Sequence, residues 1–226
     1  MKQLTFKALL FINIIFYETG CGPEVQRSAS FDKIAATHRL VAILPADVSI
    51  SLRPNQAKNL TDEQLASNEK ETGYSVQEKM YSWFLRRSER LKYTVQFQDV
   101  SKTNSLLSSA GIGYRDIKRK GKDDLAKLLG VDAVITNSIT MEKPMSEGAA
   151  LVLGSLLGTW GSTNNVDTRI TIYEGKLGNP IWKYEYVAEG SIGSSTDKLV
   201  DALMRKASSK FPYNNKYRGG INYNSK

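Results

Sequence analysis

The sequence is poor in the residues from which most small catalytic and metal centres are built. Its 226 residues hold one cysteine, Cys21, and one histidine, His38. A single cysteine excludes an internal disulfide, and an odd cysteine in an exported chain needs a role of its own. A lone histidine without thiol neighbours makes no metal set, so His38, just ahead of an apolar run, reads as a surface or packing residue. No apolar run reaches the about 20 residues of a spanning helix. There is no Gly-x-x-x-x-Gly-Lys phosphate loop. Gly190-Ser191-Ile192-Gly193-Ser194 has the wrong spacing for a nucleophile elbow. Ser195-x-x-Lys198 matches the serine–lysine spacing of some acyl enzymes, but it reads better as a helix start with Ser195 or Thr196 as cap. Asp123 and Asp124 read better as first-turn acids than as an acid/base pair. The expectation is no enzyme and no cofactor.

What is present is ordinary globular composition, with 41% hydrophobic and 24% charged residues, enough chain for one domain with a real core. The formal charge is +8; Lys2, Lys7 and Glu18 fall in a leader, so a mature chain keeps +7. That balance favours anionic partners such as acidic headgroups or acidic proteins. Nucleic acid is the weakest of these for an exported chain.

The leader is the sharpest signal. Lys2 and Lys7 precede an apolar run from Ala8 to Tyr17, and small residues follow at Thr19-Gly20-Cys21. A basic start, about ten apolar residues and small residues at the cut describe a secretory signal. Thr19-Gly20-Cys21 resembles a bacterial lipobox, departing from it at Glu18, where an aliphatic residue is usual. The resemblance implies lipid on Cys21 and cleavage before it; the alternative is an ordinary signal peptide with an incidental cysteine. Gly22 to Ser30 is small and polar, the character of a tether. The expected organisation is a signal peptide over 1–20, a lipidated tether over 21–37, one domain over 38–212 and a loose tail over 213–226.

Within the domain, Leu40-Val41-Ala42-Ile43-Leu44, closed by Pro45, reads as a buried strand. Two capping-box patterns, Thr61-x-x-Gln64 and Ser75-x-x-Glu78, open a helical region over 62–91 that Gly73 could break. Val76, Met80, Trp83, Phe84 and Leu91 share one face of it. Residues 94–100 alternate like a half-buried strand. Ser101 can cap a short helix, and 123–129 is another, with Gly130 at its end. A strand follows from Val131 toward Met141. Residues 167–173 and 181–187 alternate around a turn-rich 175–180, a hairpin with Trp182, Tyr184 and Tyr186 on one face. Thr196 to Lys210 is an amphipathic helix with Leu199, Val200, Leu203, Met204 and Ala207 inward. The fold class expected is α/β (α+β): a single mixed β-sheet covered by helices, in the order β-α-β-α-α-β, an apolar insert, then β-β-α.

Three of these segments resemble a known group. Leu128-Leu129-Gly130-Val131-Asp132-Ala133-Val134-Ile135 resembles the helix-to-strand passage of envelope proteins related to the TolB N-terminal domain, the LpoB activator and the curli secretion lipoprotein CsgG. Gly178 to Trp182 resembles their hairpin, and Val41 to Pro45 their opening strand. The resemblance implies a small outer-membrane lipoprotein, facing the periplasm, with a binding or assembly role accessory to a CsgG-like system. A pore subunit like CsgG is the alternative, and an envelope hydrolase with an unrecognised site is the third reading.

Three surface candidates remain. Arg86, Arg87, Arg90 and Lys92 form one basic cluster; Lys118, Arg119, Lys120 and Lys122 form another. Each is an anionic contact or a solvated helix end and loop. The uncharged stretch Gly148 to Gly161 carries Ala150, Gly154 and Gly158 at four-residue spacing, followed by Trp160. Small residues so spaced let helices approach closely, which suits a homo-oligomer or membrane contact. The alternative is packing on the chain's own sheet. The partners expected are therefore a membrane through the lipid anchor, an envelope protein, and a second copy of the chain.

Overall fold

The computed structural model describes residues 24–51, 61–142, 165–189, 196–208 and 210–214. Its frame is a seven-stranded mixed sheet. In chain order come β1 (Glu24–Arg27), α1 (Phe31–Ala35), β2 (Leu40–Ile43), β3 (Asp47–Ser51), α2 (Asp62–Leu91) and β4 (Gln96–Phe97). Then follow α3 (Val100–Ser109), a 3-10 turn at Tyr114–Asp116, α4 (Lys122–Leu129), β5 (Ala133–Glu142), β6 (Asn165–Glu174), β7 (Pro180–Glu189) and α5 (Thr196–Ser208). The strands lie in the order β1-β7-β6-β5-β2-β4, with β3 continuing beside β5. The α/β fold class read from the sequence is the one observed.

Pro45 does not end the first edge; it bends it. β2 and β3 both run parallel to β5, with Ile43 opposite Ile135 and Asp47 opposite Ser138. Three residues, Leu44 to Ala46, thus face two, a bulge at a residue that cannot donate to the ladder. The Ala46 N–H leaves the sheet and donates to the Gly73 carbonyl at 3.0 Å. This is why α2 passes unbroken through Gly73. A Cβ there would overlap the Ala46 carbonyl and sit 2.6 Å from the Tyr114 ring. The glycine marks a close crossing, not a break. Thr61 and Gln64 form the reciprocal cap that starts α2, while Ser75 and Glu78 lie inside the helix.

Two other expectations move. The strand expected over 94–100 shrinks to Gln96–Phe97, because Asp99 turns the chain into α3; its carboxylate, not Ser101, accepts from the Ser101 and Lys102 N–H groups. The domain is also longer at both ends. β1 pairs antiparallel with β7, Glu24 opposite Glu185 and Arg27 opposite Trp182. Phe31 and Ala35 are core residues. Residues 24–37 are part of the fold, where their polar composition suggested a tether. An edge strand needs little apolar surface, and Val25 alone packs on the core here. At the other end Tyr213 and Asn214 are buried.

The first face of the sheet is fully packed. α1, α2 and α5 bury Val76, Met80, Trp83, Phe84, Leu199 and Leu203 against Val41, Ile135, Ile170, Trp182 and Tyr184. On the second face α3 and α4 bury Leu107, Leu125 and Leu129 against Ala42, Leu44 and Val134, with Tyr173 of β6 at the margin. The rest of that face carries no helix among the described residues.

Candidate binding surface

Strand alternation decides what the uncovered half displays. Three register rows cross it. Thr136, Thr171, Lys183 and Gln26 make one; Ser138, Arg169, Glu185 and Glu24 the next; Thr140, Asp167 and Val187 the third. The middle row is organised by charge. Arg169 Nε donates to Glu185 Oε1 at 2.6 Å, and Lys183 Nζ lies 2.8 Å from the same oxygen. The Lys183 and Arg169 donors hold the Glu185 carboxyl below the usual carboxylate range. Val187 is 50% exposed beside them. Ser138, Thr140, Asp167, Arg169, Glu185 and Val187 line a hollow of about 170 Å³.

A second hollow of about 170 Å³ adjoins it through Ser138, between the bulge and the loop after the 3-10 turn. Its walls are Leu44, Pro45, Tyr114, Ile117, Lys122 and Tyr173. Lys122 is half-buried, and burial lowers the pKa of its ammonium. Nζ donates to the Ile117 and Lys120 carbonyls at 3.1 and 2.9 Å and lies 3.4 Å from that of Lys118. With its protons so directed, Lys122 pins the loop. Tyr114 has an equally structural place. Its hydroxyl accepts from the Val48 N–H at 3.0 Å and donates to the Ala46 carbonyl at 2.7 Å. Burial pushes the phenol pKa far up. Glu69 Oε1 accepts from the Ile50 N–H at 3.0 Å. The outward donors of β3 are thereby capped by side chains, which closes this edge to an added strand.

In open α/β sheets ligands bind where neighbouring parallel strands send their connections to opposite faces. Here that point lies between β2, which leads to α2 on one face, and β4, which leads to α3 on the other. It is filled. Gln77 Nε2 donates to the Ile43 carbonyl at 2.7 Å and to Asn104 Oδ1 at 3.1 Å, and Asn104 Nδ2 returns a bond to Gln77 Oε1 at 3.0 Å. Alongside, Gln98 bonds the Leu129 carbonyl and Thr103.

The basic residues singled out in the sequence fall at two separate ends. Arg86 and Arg90 are exposed on the last turns of α2, where cations complement the helix dipole. The Arg87 guanidinium sits 4.1 Å over the Trp83 ring. Lys118, Arg119 and Lys120 are exposed in the loop beyond the far end of β2, with Lys118 Nζ 3.2 Å from Asp47. His38 is buried, its Nδ1 2.7 Å from the Tyr213 hydroxyl. Asp123 and Asp124 lie in the first turn of α4. Cys21, Ala150, Gly154, Gly158, Trp160 and Ser195 lie outside the described residues. Among the described residues no group of His, Cys, Asp or Glu could hold a metal, and no helix is long and apolar enough to cross a membrane. The Tyr114 and Glu69 caps and the Gln77–Asn104 pair join residues far apart in sequence and leave no local signal in it. The Lys183–Glu185 alternation, by contrast, was visible.

Neither a family model nor a curated protein matches the chain. Solved structures that resemble it include a lipoprotein of Neisseria meningitidis, at 13% identity and a TM-score of 0.42 over 76% of this chain and 96% of that one. They include the LpoB C-terminal domain of Salmonella enterica, at 12% identity and 0.33 over 67% and 83%. The PelC dodecamer of Paraburkholderia phytofirmans resembles it at 9% identity and 0.40 over 83% and 96%. The likeness is distant in each case.

Proposed function

We propose that the chain is a bacterial envelope lipoprotein, exported by its first twenty residues and held by lipid on Cys21. It faces the periplasm from the outer membrane and binds another envelope protein through the uncovered half of its sheet. The role is accessory or structural, within an assembly such as a CsgG-like secretion system, and no reaction is catalysed. One observation carries the reading: half of one sheet face carries no helix among the described residues yet displays an ordered polar lattice, with Arg169, Glu185 and Lys183 tied together and Val187 exposed among them. The two hollows beside it are shallow and small against the roughly 300–1,000 Å³ of small-molecule sites. The crevice where a cofactor would enter such a sheet is occupied by Gln77 and Asn104.

Photo-crosslinking in intact cells tests this. A crosslinking residue at Thr140 or Val187 should yield an adduct with another envelope protein, and Arg169→Glu should abolish it. The same probe at Arg86 serves as comparison. Adducts from Arg86 with none from Thr140 or Val187 would overturn the choice of surface. Soluble-fraction recovery of wild-type protein after cell breakage would overturn the anchor.

A further inference from the structure

Only Gly22 and Pro23 separate Cys21 from the first strand of the sheet. Three peptide units span at most about 11 Å. A lipid on Cys21 therefore leaves the domain no tether, and Glu24, where β1 begins, must lie within that distance of the headgroups. β1 is the outermost strand, so the bilayer meets the sheet at one defined edge.

The helix beside that edge has matching chemistry. α5 turns Leu199, Val200, Leu203, Met204 and Ala207 into the core. Asp197, on one flank, pairs with Lys79 of α2 at 2.5 Å. The opposite flank points away from α2, and there Lys206 Nζ sits 4.7 Å from the centre of the Tyr186 ring on β7. Lys198 and Arg205 are exposed on the outer surface between the flanks. The acids of α5 thus turn toward α2, and its cations turn outward and toward the β1 side.

We infer that the domain lies directly on the bilayer that holds its lipid, β1 edge down, with Lys198, Arg205 and Lys206 against anionic headgroups. This rests on the lipid-anchor reading and adds an orientation to it. The sheet then stands upright on the membrane. Its uncovered face looks along the membrane plane, toward partners in the same bilayer. The β4 edge lies five strand spacings away, about 24 Å higher.

Two measurements test the orientation. Lipid occupies the only thiol, so a single cysteine introduced at Ala29, beside β1, or at Ser101, beside β4, takes a donor dye without competition. Both positions are exposed. The full lipidated chain is placed in phosphatidylethanolamine–phosphatidylglycerol vesicles with acceptor dye on the headgroups. Energy transfer should be much stronger from position 29 than from position 101. Equal or reversed transfer overturns the orientation while leaving the anchor intact. The second measurement does not need the anchor. The Cys21→Ser chain is mixed with the same vesicles at low salt. Each cation near an anionic surface contributes about fivefold in binding, so K198E/R205E/K206E should weaken association by at least about a hundredfold while its circular dichroism spectrum stays that of the folded parent. Undetectable association of the parent, or equal association of the variant, overturns the headgroup contact. Absence of lipid on Cys21 in protein purified from membranes would defeat the anchor reading itself, and the β1-edge placement with it.

Discussion

Tyr114→Phe removes one oxygen and should unsettle the bulge that shapes this fold. The hydroxyl accepts from the Val48 N–H and donates to the Ala46 carbonyl, with the Glu69 carbonyl 3.1 Å away. Ala46 is fully buried and Val48 nearly so. Without the hydroxyl, one buried N–H loses its partner. A net hydrogen bond contributes about 1 kcal/mol, and a stranded buried donor costs about 1–3 kcal/mol. Tyr114 is only part-buried, so water can reach some of the gap, and a loss of about 2 kcal/mol is expected. For a domain of this size that is a fall of about 4–8 °C in Tm. Urea unfolding of the Cys21→Ser chain measures the global effect. Amide exchange at Val48 measures the local one and should accelerate, while exchange at Ile50, capped by Glu69, should hardly change. The substitution also uncaps an edge donor, so self-association by strand addition should rise with concentration in light scattering. A loss below about 0.5 kcal/mol together with unchanged Val48 protection would refute the assignment of Tyr114 as the cap of this edge.

Other changes should act in stated directions. Cys21→Ser should release the protein into the soluble envelope fraction, and retention on membranes after a high-salt wash would contradict a lipid anchor. Leu203→Ala empties a fully buried position between α5 and the sheet and should cost about 2–5 kcal/mol by calorimetry or urea unfolding. Tyr184→Phe deletes a buried hydroxyl that has no hydrogen-bond partner among the described residues; stability should hold or rise by up to about 1 kcal/mol. Burial pushes the Tyr184 phenol up to about 12, above its unfolded value near 10. The folded chain keeps this proton while the unfolded chain loses it, so stability is full below about pH 10 and falls as pH rises toward 12. The phenylalanine variant should show a shallower alkaline decline.

The parts of the fold that were legible in sequence are those set by local periodicity or by a cap. Thr61 and Gln64 announce α2, Gly130 adopts φ 66° where it ends α4, and the alternation of Trp182, Tyr184 and Tyr186 against Lys183 and Glu185 gives the buried and exposed faces of β7. What was not legible depends on partners distant in the chain. Gly73 looks like a helix breaker until Ala46 and Tyr114 are found pressed against it. Glu24 to Arg27 looks like a linker because an edge strand needs only one packed side chain, and its identity comes from pairing with Trp182 to Glu185, far along the chain.

The same physics explains why the candidate surface was half hidden. Alternation announces that Lys183 and Glu185 leave the core, but not that no helix among the described residues lies above them. That follows from where α3 and α4 end up. Both lie on the connection from β4 to β5, so both must pack near those strands, and the apolar set on the second face, Ala42, Leu44 and Val134 with Tyr173 at its margin, is only wide enough for them. Beyond it the sheet changes to Thr136, Ser138, Thr140, Asp167 and Arg169, which offer no apolar surface for another helix to bury. The sequence of β5 holds this transition in one strand. Ala133-Val134-Ile135 is apolar on both faces, while Thr136, Ser138 and Thr140 keep apolar partners only on the other side, through Ile139 and Met141. A strand that begins two-sided and ends one-sided marks where a covering layer stops, and that boundary is the rim of the proposed binding surface.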